Sequence, residues 1–436
     1  MNNKNLISLF WPIFFEILFL MLAGSVDTLM LSSLNDKAVG AVGTANTYLS
    51  IFIIMFSVIS TGMVAVMTQY IGADKLYVAR QAKNIGLFLN SILGIILSIV
   101  LGTLSKEILI TVGIAKSLLN YSTTYMRIVG SACILTALIP IYSNYLRSFG
   151  FIKITMYATI IANILNLILN TLFLYILNMG VTGIAIATVI SKIINLLILI
   201  VYAERNILFE EIKNDVSNIT ILKQIIKIGL PAAAESVLYN LAMTLIIRFL
   251  NQMDAQGINI TARAYVLTIT NFSYCAGCAI AQANAIIIGW DMGKHNFKKC
   301  YKGSFKALKI GLIISLIISI LFVIFASPIL AIFTHNQQII QLASKLLIID
   351  VFLEMGRVTN LIFANALKTA GDALYIVVVA CIIMILIGVG GTYLFGIKLE
   401  LMAIGAYIAM ALDECIRGII SIFRWKSKKW QEKALI

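Results

Sequence analysis

Asp27 is a lone carboxylate inside an apolar stretch that runs from residue 6 to 31, with no cation near it in sequence. An ionisable group at bilayer depth is costly, so it faces a cavity or a partner and marks an ion or substrate path. Asn166 and Asn170 lie one helical turn apart and share a face. Counted from the outer ends of their apolar spans, Asp27, Asn170, Asn166 and Thr188 fall about four, seven, eleven and six residues deep. One carboxylate with amide and hydroxyl oxygens at one level suits a monovalent cation such as Na⁺, or a proton held on Asp27. The competing reading makes the asparagines and Thr188 interhelical hydrogen-bonding groups.

The second half holds a heavier, mixed-sign set. Glu354 and Arg357 are spaced i,i+3, as are Glu414 and Arg417, while Asp413 and Arg417 are i,i+4, so each helix can partly neutralise itself. Arg357, Arg417 and Glu235 all count to about sixteen residues from the outer surface. A buried network follows, either fixing helix packing or responding to protons. Glu16 sits among Trp11, Phe14, Phe15 and Phe19, a setting that could attract a lipophilic cation or simply be core. Glu16 and Tyr239 are the candidate substrate-cavity residues.

Other chemistries are excluded by context. Gly289-Trp-Asp-Met-Gly293-Lys294-His295 is one residue short of a phosphate loop and lacks the following Ser or Thr. Cys275-Ala-Gly-Cys278 has metal spacing but no second ligand pair, so packing residues are expected. His295 and His335 both fall outside the apolar spans, which leaves no histidine for catalysis within them. No catalytic residue, resident metal or cofactor is expected; a coupling ion, Na⁺ or H⁺, is.

These side chains must be carried by membrane helices. The chain has 436 residues, 61% hydrophobic and 12% charged, with a mean hydropathy of +0.98. No soluble domain has that balance. Apolar runs near 6–31, 43–71, 86–111, 119–145, 154–177, 182–204, 227–251, 262–289, 305–333, 338–367, 375–396 and 401–423 are each long enough to cross. The unit is doubled. Pro12-Ile-Phe-Phe-Glu16 recurs as Pro231-Ala-Ala-Ala-Glu235, Thr44 to Tyr48 as Thr261 to Tyr265, and Asn144 to Gly150 as Asn365 to Gly371. Repeats of this kind are the mark of a transporter. The expected fold is an all-α membrane protein of twelve transmembrane helices, in two six-helix lobes related by pseudo-two-fold symmetry. Helices 1–6 occupy residues 1–205, a cytoplasmic linker residues 206–226, and helices 7–12 residues 227–436.

The net charge of +14 does not signal nucleic acid, because its placement is lopsided. Lys75, Arg80 and Lys83 share one loop, Lys294 to Lys306 its counterpart, and Arg424 to Lys433 the C-terminus, while alternate loops hold only Lys37, Lys116 or Lys398. That bias places both termini in the cytoplasm, with the protein multi-pass in the inner membrane. The first span is too long for a cleaved signal and carries Glu16 and Asp27.

Taken in order, Ser25-Val-Asp27-Thr-Leu-Met30, Gly40, Gly43, Asn166 to Asn170, Gly183 to Thr188, Gly229-Leu-Pro231 and Asn365 to Asp372 resemble the multidrug and toxic compound extrusion (MATE) antiporters. Glu354 to Asn360, Asp413 to Arg417 and Arg424 to Trp430 resemble one bacterial branch. The resemblance implies export of small organic cations driven by inward Na⁺ or H⁺, a monomer in the bilayer, and an N-lobe cation held by Asp27, Asn166, Asn170 and Thr188. Rocking of the lobes would switch access. The chain departs from many members at Asn170, where they carry aspartate, leaving Asp27 the sole anion there. It departs again at Tyr239, where some relatives carry the ion-binding glutamate two turns after the proline. Two alternatives are a lipid-linked oligosaccharide flippase of the same superfamily, favoured by Arg263 in the slot of Asn46, and a membrane-embedded enzyme.

Overall fold

The computed structural model describes residues 5–207, 216–253 and 257–436, and among them no strand occurs. In the first half the helices are α1 (Leu6–Ser32), α2 (Asp36–Gly72), α3 (Leu76–Thr111), α4 (Lys116–Ser131), α5 (Cys133–Ser148), α6 (Ile152–Thr171) and α7 (Gly180–Asn206). The second half has α8 (Asn218–Met253), α9 (Ile258–Gly293), α10 (Phe297–Ile324), α11 (Ala326–Phe333), α12 (Gln337–Thr369), α13 (Ala373–Ile383) and α14 (Met402–Lys426). Both α6 and α13 run on into wider π-helical turns, Leu172–Ile176 and Met384–Val389. Of the linker expected over 206–226, residues 208–215 lie outside the described residues, and Asn218 already opens α8.

Nine described helical spans are long and apolar enough to cross a bilayer, and α4 with α5, bent by 47° at their junction, makes a tenth. Two more are 33 and 25 residues long, α12 and α14. Their charges, Asp350, Glu354 and Arg357 in one and Asp413, Glu414 and Arg417 in the other, are mostly paired internally, so they cross despite the polarity. Twelve crossings result. Side chains such as Ile96, Ile99, Ile317 and Ile385 face outward, as lipid contact requires.

Two compact units emerge: Trp11–Gly229, and Leu230–Ile436 with Asn5–Phe10 grouped in it. The first is built around Leu31, Val42, Phe56, Leu101, Tyr125 and Met126. One core of the second centres on Leu250, Val266, Leu346, Leu353 and Tyr407, and another on Phe363, Trp425 and Trp430. In hydrocarbon, helices associate through small residues that let backbones approach. Gly356 is the sharpest case: a Cβ there would lie 2.7 Å from the backbone nitrogen of Cys415. That closeness sets α12 against α14 and brings their charges together. At the ends of α5 and α12, Gly150 and Gly371 occupy the same repeat slot and both turn the chain with positive φ, 82° and 95°.

Candidate functional site

In the first unit α1 and α6 run parallel and meet through three polar contacts in ascending register. Thr155 Oγ1 donates to Glu16 Oε2 (2.7 Å), Asn163 Nδ2 to the Phe19 carbonyl (3.0 Å), and Asn170 Nδ2 to Asp27 Oδ1 (2.7 Å). The buried stripe of α6 explains the register: Thr155, Ala158, Thr159, Ala162, Asn166 and Asn170 recur at helical spacing. Asn170 Nδ2 also donates to Asn166 Oδ1 (3.1 Å). Both amides are buried, Asn170 completely, while Asp27 is partly open. The amide orientation of Asn170 is forced, since only its nitrogen can face a carboxylate. Its Oδ1 is consequently left buried with no partner. An unpaired buried carbonyl oxygen is costly and calls for a donor or a cation.

Asp27 pairs with no cationic side chain among the described residues. Its surroundings therefore hold an uncompensated carboxylate, amide oxygens and no guanidinium or ammonium. Thr188 belongs to this neighbourhood at one remove: its hydroxyl donates to the Ile184 carbonyl (2.9 Å), and it lies beside the Tyr125 side chain. Tyr125 is buried in α4, lies near Asn46 as well and feels the charge of Asp27. Neither Tyr125 nor Asn46 was singled out as a site residue by sequence. Nothing in the local pattern separates Tyr125 from the other tyrosines of the apolar spans.

Glu16 is buried and held on both oxygens, by Arg147 (2.6 Å) and Thr155 (2.7 Å). The structure thus closes Glu16 with a counter-ion from α5, where the sequence left open a carboxylate ready for a lipophilic cation. Of its aromatic neighbours in sequence, Trp11 is half exposed and stacks on Phe15 at 5.8 Å.

The second unit contains the counterpart pair. Glu235 meets Lys368 at 2.5 Å, and the repeat offsets map Glu16 onto Glu235 and Arg147 onto Lys368. Glu235 was expected with the arginines of α12 and α14; those are satisfied elsewhere. Arg357 pairs with Glu354 in its own helix and reaches Glu414 at 3.9 Å. Arg417 pairs with Asp413 (2.5 Å) and Glu414 (2.9 Å), and Asn360 Nδ2 donates to Glu414 (3.0 Å). Removing any one member would strand a buried charge, so the cluster is a strongly coupled packing unit. Beside it opens a cavity of about 340 Å³ lined by Glu235, Tyr239, Tyr274, Arg357, Lys368 and Arg417 among others. Tyr239 thus lines a cavity together with Glu235.

Twelve apolar crossings in a doubled plan, with charged pairs buried among them, define a polytopic transporter. The MatE family model matches residues 12–172 and again 231–394, one match per repeat, and the chain belongs to that family of transporters. The two matches begin at Pro12 and Pro231, the offset read from the sequence. The chain is 35% identical to the uncharacterized transporter YisQ of Bacillus subtilis, over 99% of this chain and 96% of that one. It is 23% identical to the probable multidrug resistance protein NorM of Thermotoga maritima, over 100% and 94%. The fold matches a structure of an outward-facing multidrug resistance MATE family transporter of the MOP superfamily with a TM-score of 0.90. That pair shares 19% identity over 97% of this chain and 95% of the other. A MOP superfamily transporter from Pyrococcus furiosus, for which a reverse polarity of the binding pocket suggests a different function, matches at TM-score 0.87. It is 20% identical over the same shares.

Proposed function

We propose that the chain is an antiporter of the inner membrane that exports small organic cations, coupled to inward flow of Na⁺ or H⁺ at Asp27, with both termini cytoplasmic. The observation that carries this reading is the unneutralised carboxylate of Asp27 beside the partnerless Oδ1 of Asn170. Asp27 supplies the charge, Asn166 and Asn170 the supporting oxygens, and Thr188 with Tyr125 an adjoining hydroxyl pair. A coupling ion on Asp27 removes the charge that attracts an organic cation, so the two exclude one another and exchange. The names of relatives, multidrug resistance proteins among them, agree with the cargo. A lipid-linked oligosaccharide flippase would want a cationic site for its anionic cargo, whereas the uncompensated charge in the first unit is negative.

The test is ethidium efflux in everted vesicles under separately imposed Na⁺ and pH gradients, comparing the wild type with Asp27→Asn. At least one gradient should drive efflux in the wild type and neither in the variant. Equal gradient-driven efflux in both would remove Asp27 from coupling.

A further inference from the structure

We propose that the cavity in the second unit binds a protonated amine on Glu235, taken up in exchange for the ammonium of Lys368. Comparison of the two repeats leads there. In the first, Glu16 is locked: Arg147 holds Oε1 at 2.6 Å and Thr155 donates to Oε2 at 2.7 Å. In the second, the guanidinium is replaced by a lysine and the threonine by Ile376, its counterpart at the same offset of 221 residues. Ile376 offers no hydroxyl. Glu235 therefore has a single ionic partner among the described residues, Lys368.

A guanidinium is a rigid fork that grips a carboxylate in fixed geometry, whereas a lysine ammonium is a compact point charge on a flexible stem. The first pair is built to stay; the second is built to open. Lys368 lies in the last turn of α12, where a released ammonium still meets the favourable end of the helix dipole. The second pair lines a cavity of about 340 Å³, whose Tyr239 and Tyr274 offer aromatic faces. Arg357 and Arg417 make their short ion pairs with Glu354, Asp413 and Glu414, and neither forms one with Glu235. Lys368 thus stands in for the ligand when the cavity is empty of it.

The chemistry sets the ligand class. Glu235 Oε2 lies 2.5 Å from the Lys368 ammonium yet is buried without a hydrogen-bond donor, so a ligand that donates N–H to it, a primary to tertiary protonated amine with an aromatic body, fits. Quaternary cations, lacking N–H, do not. The inference rests on the export reading for its biological sense, but binding to the purified protein requires no gradient.

The experiment is calorimetric titration of purified protein with phenethylammonium and with its N,N,N-trimethyl analogue. The trimethyl compound should bind about ten-fold to a hundred-fold more weakly, the value of one charge-assisted hydrogen bond. Glu235→Gln should lower the affinity for phenethylammonium by at least about ten-fold. The double variant Lys368→Arg, Ile376→Thr rebuilds the locked pair of the first repeat and should weaken amine binding about ten-fold while unfolding no earlier than wild type. If the double variant does not fold, Lys368→Arg alone gives the same comparison with a smaller loss. Equal binding of the two ligands, no binding of phenethylammonium, or unchanged affinity in Glu235→Gln or in the folded lock variant would overturn the proposal. Any of these outcomes leaves ethidium efflux, measured separately, to decide the export reading.

Discussion

Replacing Asn170 by Asp probes the proposed ion site without changing its shape. The new oxygen would take the place of Asn170 Nδ2, 2.7 Å from Asp27 Oδ1. Two full charges at that separation repel by about 6 kcal/mol at an effective dielectric of about 20. That is about four powers of ten in an equilibrium constant, so the pair cannot stay bare: it must share a proton or hold a cation. The amide donor that Asp27 now uses would also be gone. A monovalent cation should consequently bind the variant far more strongly than the wild type at alkaline pH. The assay is thermal unfolding of the purified protein at pH 8 across a Na⁺ series, with K⁺ as control. Na⁺ at a hundred times its dissociation constant adds about 2.7 kcal/mol to stability, so Asn170→Asp should gain a Na⁺-dependent rise in Tm that exceeds the wild type's. Equal Na⁺ dependence in the two proteins would refute the placement of a cation between residues 27 and 170.

Three further outcomes follow from packing. Arg147→Met should cost about 3–5 kcal/mol by stranding Glu16, and adding Glu16→Gln should recover most of it, read by thermal unfolding of single and double variants. Trp430 stacks on Trp425 at 4.0 Å and donates Nε1–H to its backbone carbonyl at 2.8 Å. Trp430→Ala should therefore destabilise the second unit by about 3–5 kcal/mol, detectable as earlier protease cleavage near the C-terminus. Gly356→Ala places a Cβ 2.7 Å from the Cys415 nitrogen and should push α12 from α14, lowering folded yield where Ala at Gly43, with nothing near, should not.

What the sequence determined rests on strong periodic signals. Twelve apolar runs, a repeat anchored at Pro12 and Pro231, and the helical spacing within each charged helix together yielded the all-α membrane fold, and the resemblance of its ordered motifs implied the family. The i,i+3 and i,i+4 pairs of α12 and α14 were legible for the same reason: a helix fixes which of its own residues meet. The meeting of Asp27 with Asn170 was reachable by counting depth, because parallel helices climb the bilayer in step. Which of the groups at one depth face one another was not reachable. Glu16 found Arg147 and Thr155, Glu235 found Lys368 rather than an arginine, and Tyr125 reached Thr188 and Asn46, all through side-chain direction and helix rotation. Depth is set by residue number along one helix, but azimuth is set by what the neighbouring helices pack against, and only the tertiary structure decides that.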